Sequence, residues 1–143
     1  MMLSIVSCKT ETTLSEDDKK MVETEVVQFL DSLDASFESL SPENTFKYFL
    51  QTDEFAVATQ GQLFTNPSAV LDTMKTHMAH MKKQNIDPVA EKIFVINKEA
   101  VVISTSKVTT ITFKNDIQIT MPYALTLLLV KREGKWKIVH YHN

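Results

Sequence analysis

Apolar side chains recur at helical spacing through the first third of the chain. Val22, Val26, Phe29, Leu30, Leu33, Phe37 and Leu40 follow one another largely at intervals of three and four. That spacing predicts an amphipathic helix of about 25 residues, from roughly 16 to 40. Ser15 precedes it as an N-cap, with an acid three residues on and negative charge in the first turn. Ser41-Pro42 then restarts the chain as a cap and a first helical residue, and Phe46, Phe49 and Leu50 give a second, shorter helix its buried side. Phe55, Val57 and Thr59 alternate with Ala56 and Ala58, which predicts a short strand before Gly61. Asn66-Pro67 opens a third helix by the same logic. Val70, Met74, Met78 and Met81 form its apolar stripe, Lys82-Lys83 complement its C-terminal end, and Pro88 marks the loop that follows.

Beyond Pro88 the period changes to two. Segments 92–96, 100–113, 117–131 and 135–142 are β-branched and apolar. The turns between them, Asn97-Lys98-Glu99, Lys114-Asn115-Asp116 and Glu133-Gly134, are too short for a parallel crossover and imply antiparallel hairpins. In the third of these strands Ile117, Ile119, Met121, Tyr123, Leu125, Leu127 and Leu129 share one face, against Gln118, Thr120 and Thr126 on the other. Helices followed by a strand meander predict an α+β fold, with three N-terminal helices packed on a curved antiparallel sheet.

Composition narrows the function classes. A chain of 143 residues fits one domain, and 43% hydrophobic with 23% charged residues excludes wholesale disorder. With Gly61 and Gly134 as its only glycines the chain can hold neither a GxGxxG fingerprint nor a P-loop. A formal net charge of -3 gives no electrostatic footprint for nucleic acid. The single cysteine, Cys8, excludes an internal disulfide and every multi-cysteine zinc pattern. Ile5-Val6-Ser7-Cys8 ends the only apolar run at the N-terminus and is followed by a polar stretch. It resembles a bacterial lipobox, in which the cysteine is lipidated and becomes the mature N-terminus. The expected organisation is a truncated lipoprotein signal and tether over 1–14 and one domain over 15–143. The protein would then be anchored in the bacterial cell envelope by lipid alone, facing the periplasm or exterior. Without that modification it would be cytoplasmic.

The order helix, helix, strand, helix and long antiparallel strands resembles the NTF2-like superfamily. The residues that carry this are Gly61-Gln62-Leu63-Phe64 before the third helix and the closing Gly134-Lys135-Trp136-Lys137-Ile138-Val139-His140-Tyr141-His142. The closing segment looks like the ending common in the SnoaL-like and DUF4440-type branch. The resemblance covers about 15–143. It implies a cone-shaped pocket between the curved sheet and the first helix, and a homodimer formed through the sheet's outer face. The family's function is broader than its fold, since isomerases, cyclases, dehydratases and non-catalytic pocket proteins share it. The catalytic aspartates and tyrosine of ketosteroid isomerase have no matching motifs here.

Strand parity places Trp136, Ile138, His140 and His142 on one face of the last strand and Lys137, Val139 and Tyr141 on the other. Solvated lysines on the second face would turn Trp136 and His140 into the cone, where His140 could line the pocket or act as a base. Tyr48 and Asp53 fall where such cones open, and Tyr123 sits on the apolar face of its strand. His77 and His80 have i, i+3 spacing, but without an acidic partner or an HExxH motif no metal is expected. No cofactor is expected either, and no nucleophile elbow or paired-carboxylate motif is present. The leading expectation is a domain binding a small apolar or amphipathic molecule. Its lining would be Phe29, Phe49, Phe55, Met121, Tyr123, Trp136 and His140. One alternative is an isomerase, cyclase or dehydratase with His140 or Asp53 as base and Tyr48 in support. The other is an interaction module using the outer sheet residues Thr110, Thr112, Thr120, Thr126, Leu128 and Val130.

Overall fold

A computed structural model describes residues 14–143; Cys8 and the lipobox-like segment lie outside the described residues. Helix α1 spans Glu16–Glu38, and the Ser15 side chain accepts a hydrogen bond from the Asp18 backbone N–H at 3.1 Å, as its cap position requires. Its apolar stripe is buried at Val22, Val26, Phe29, Leu30 and Leu33. Helix α2 (Pro42–Phe46) is little more than a turn and is tied to α1 by the Thr45 hydroxyl, which donates to the Ser36 carbonyl at 3.0 Å. No helix among the described residues is long and apolar enough to cross a membrane.

Strands β1 (Ala56–Thr59) and β2 (Gln62–Phe64) form a hairpin. Its two-residue turn holds Gln60 and Gly61 at φ 50 and 75, the left-handed geometry of a tight primed turn. Residues 62–64, which follow that turn, pair with β1 as a strand. Helix α3 (Pro67–Met78) begins at an Asn66 cap, whose side chain accepts from the Ser68 N–H at 2.9 Å. It stops before Met81, Lys82 and Lys83, which belong instead to strand β3 (Met81–Asn97). The physical reason is β4 (Ala100–Phe113), along which β3 pairs from Met81 opposite Phe113 to Asn97 opposite Ala100. A ladder of that length satisfies more backbone groups than another helical turn would. Pro88 also lies within β3 rather than in a loop. It is tolerated because β3 is an edge strand and its register shifts between Pro88 and Ala90.

Strands β5 (Gln118–Arg132) and β6 (Lys135–His142) complete a six-stranded sheet of order β2-β1-β6-β5-β4-β3. Every neighbouring pair is antiparallel except β1 with β6. Bulges in β3 and β6 bend the sheet around α1. The core lies between α1 and the inward residues of the sheet: Val101 and Ile103 on β4, Leu127 and Leu129 on β5, Trp136 and Ile138 on β6.

The bulge in β6 decides which residues face the core. Ile138 pairs with Leu129 and His140 with Leu128, so Val139 is an extra residue on its strand. Beyond it the alternation inverts. Tyr141, opposite core residue Leu127, points inward, and His140, opposite Leu128, takes the outer face with His142. The expectation that His140 looks into the cone is thereby corrected. Strict parity fails because β6 changes partners along its length. Ile138 exchanges backbone hydrogen bonds with Tyr48 and Leu50, whereas His140, Tyr141 and His142 pair in parallel with β1.

Candidate functional site

Between α1, the inner face of β4 and β5, and the end of β6 lies a cavity of about 370 Å³. At its base a charged pair is buried. Asp34 sits at the edge of the α1 apolar stripe, four residues after Leu30, and Lys107 stands on the inward parity of β4 between Thr105 and Thr109. The Lys107 ammonium contacts both Asp34 carboxylate oxygens. Their side chains are 4% and 19% exposed, so the pair is largely removed from water. Burial pushes the Asp34 carboxyl above the usual carboxylate range against the opposing pull of Lys107, and Glu38 and Asp31 add to the upward shift.

Two phenols face the same space. Burial pushes Tyr123 up, with smaller contributions from Tyr141 and Asp34. Burial, followed by the Asp34 charge, pushes Tyr141 up to about 12. Both hydroxyls therefore stay protonated at neutral pH and can donate a hydrogen bond. Among the described residues neither has a protein partner, yet neither is sealed from access. They open on the cavity. Gln84 donates to the Thr109 hydroxyl at 3.3 Å, and Thr109 in turn donates to the Asn85 carbonyl at 3.2 Å, so the Thr109 hydroxyl is already engaged. Leu33, Ile86, Leu125 and Leu127 supply apolar surface, Gln60 and Asn143 also line the space, and Met121 stands at the mouth, 43% exposed.

A second cavity, of about 300 Å³, adjoins the first between the β1–β2 hairpin and α3. Its interior is Phe49, Val57, Phe64, Val70 and Met74, and Thr59, Gln62, Thr73 and His77 also line it. Phe37, Gln60 and Tyr141 line both cavities and form the partition between them.

Of the pocket residues expected from sequence, Met121 and Tyr123 line the first cavity and Phe49 the second. Phe29, Trp136 and Tyr48 belong to an open groove on the other side of α1. There Tyr48 packs edge-on against Phe29, with ring centroids 5.4 Å apart. Trp136 does face inward, but beside this groove rather than the first cavity, and its indole N–H donates to the Glu25 carboxylate at 2.9 Å. Phe55 is core, and Asp53 is exposed in the turn before β1. His77 borders the second cavity, whereas His80 is exposed. The residues that sequence reasoning missed are Asp34, Lys107 and Tyr141. Two of them left a signal: a carboxylate on an apolar helix stripe and an ammonium on an apolar strand face, which bury stably only as a pair.

Comparison with known proteins agrees with this architecture. Residues 26–143 match the sequence model of the SnoaL-like domain. The chain belongs to the SnoaL-like family. Solved structures share the fold at low sequence identity. A protein provisionally named scytalone dehydratase from Novosphingobium aromaticivorans superposes with TM-score 0.81 at 11% identity, covering 90% of this chain and 86% of that one. An NTF2-like superfamily protein from Salmonella enterica gives 0.78 at 18% identity, covering 87% and 90%. A hexachlorocyclohexane dehydrochlorinase gives 0.74 at 11%, covering 90% and 87%. No curated protein sequence matches the chain. Identities this low establish the SnoaL-like fold and leave the chemistry of the site to its own residues.

Proposed function

We propose that this SnoaL-like domain binds a small, uncharged, mostly apolar molecule that carries a hydrogen-bond acceptor such as a carbonyl oxygen. The observation that carries the reading is the pair of phenols without a protein partner among the described residues, Tyr123 and Tyr141, lining a cavity of about 370 Å³ whose one charged pair, Asp34–Lys107, is closed on itself and whose apolar surface comes from Leu33, Ile86, Leu125 and Leu127. The Asp34–Lys107 pair neutralises itself, so an ionic ligand would lose its hydration without gaining a counter-charge. Binding is favoured over catalysis because the named bases, His140 and Asp53, lie outside the cavity and both Asp34 oxygens are held by Lys107.

The test is titration with octanone, followed by NMR shifts of the cavity residues. Tyr123→Phe keeps the ring and removes only the donor. Its affinity should fall roughly threefold to tenfold, the range that a net hydrogen bond is worth. Unchanged affinity in both Tyr123→Phe and Tyr141→Phe would sink the reading.

We also propose that the domain is exported and held at a membrane through an acylated Cys8, on the strength of the apolar-to-polar switch around Ile5-Val6-Ser7-Cys8. Expressed with its upstream in-frame codons, the protein should incorporate labelled palmitate and Cys8→Ala should not. Equal labelling of the two would exclude the anchor.

A further inference from the structure

We infer that the ligand is elongated and occupies both cavities, with its acceptor at the tyrosines and a hydrocarbon tail against α3. This rests on the binding reading above and extends it to the shape and class of the molecule: an unbranched, neutral amphiphile with one polar end.

Three features of the second cavity carry the inference. First, the partition is a single layer of side chains, because Phe37, Gln60 and Tyr141 each touch both spaces. Tyr141 is attached at the end of the last strand, and Gln60 occupies a two-residue turn, so neither belongs to a packed helix interface. Second, the buried ion pair is confined to one side. Asp34 and Lys107 lie with Tyr123 in the first cavity, whereas the second sets an apolar wall of Phe49, Val57, Phe64, Val70 and Met74 beside Thr59, Gln62, Thr73 and His77. Third, Tyr141 belongs to both. It lines the first cavity and the second, and its hydroxyl has no protein partner among the described residues, so a ligand spanning the two would meet this donor between its head group and its tail.

The experiment measures affinities of methyl ketones of four, eight and thirteen carbons for the wild-type chain and for Thr73→Trp. Thr73 is half-buried on α3, so the indole fills the second cavity and leaves the first intact. In wild type each buried methylene should raise affinity by about fourfold once the tail enters the apolar side. In Thr73→Trp the four-carbon ketone should bind as in wild type, while the gain for the longest ketone is lost. Retained short-ketone binding also reports that the variant is folded, and Thr73→Leu should give an intermediate loss. Length dependence that is the same in wild type and Thr73→Trp would overturn the inference and leave the binding reading standing. Failure of every ketone to bind wild type would overturn both.

Discussion

Phe55→Ala is expected to lower the free energy of unfolding by about 3–5 kcal/mol, the usual cost of emptying a fully buried aromatic site. Phe55 is 1% exposed and meets Phe49 edge-on, with ring centroids 5.9 Å apart. It lines neither cavity. The space left by its ring is therefore a new void behind Phe49, and the surrounding backbone of β1 and β6 is held by pairing on both sides. For a chain of this length the loss corresponds to a fall in Tm of roughly 10–15 °C. The measurement is urea unfolding, with the midpoint shifting and the slope unchanged. Phe55→Leu, which retains most of the volume, should cost less than half as much. If Phe55 lined the pocket, as the sequence suggested, truncation would instead be cheap in stability and would change ligand affinity.

Lys107→Met should cost a comparable amount, about 3–5 kcal/mol at neutral pH, because it strands the Asp34 carboxylate in a site with little access to water. The sign of its pH dependence follows from Asp34. A carboxyl whose folded-state pKa is raised binds its proton more tightly in the folded chain than in the unfolded one. Stability is then fully present below the ordinary carboxylate pKa and is lost as pH rises through the raised value. Removing the ammonium raises that value further. The deficit of Lys107→Met relative to wild type should therefore shrink on acidification and widen towards neutrality. Asp34→Leu combined with Lys107→Met should recover most of the loss, since a buried pair replaced by apolar groups of similar volume is often neutral. A double variant no more stable than Lys107→Met alone would mean that the pair does more than satisfy its own charges.

These two residues also mark how far the sequence could be read. Phe55 was legible as apolar and was read as the start of a strand that in fact begins at Ala56, but core and pocket lining look alike in a pattern of alternation. Which of the two a residue joins depends on what packs opposite it. For Phe55 that partner is Phe49, from a different element. Asp34 and Lys107 each break an apolar face, and only their meeting, 73 residues apart in the chain, turns two anomalies into one buried pair.

Local chemistry was sufficient for much of the architecture. The caps at Ser15 and Asn66 sit where the sequence placed them, because a side chain accepting from an N–H two or three residues on is a short-range interaction. Strands β4 and β6 were bounded by their turns, and the left-handed residues Asp116, Glu133 and Gly134 stand where those turns fall. The α+β order followed from the change of period after the third helix. What the tertiary structure alone decided was the length of β3 and the inward residue of β6. A long partner strand drew Met81–Asn97 into one ladder through a proline and against a helical methionine stripe. A bulge at Val139, set by the exchange of partners along β6, put Tyr141 rather than His140 in the cavity. The sequence by itself determined most of the elements, β2 and the first half of β3 excepted, and the family resemblance. The ligand-facing residues depended on register between strands, where a shift of one residue exchanges the two faces of the sheet.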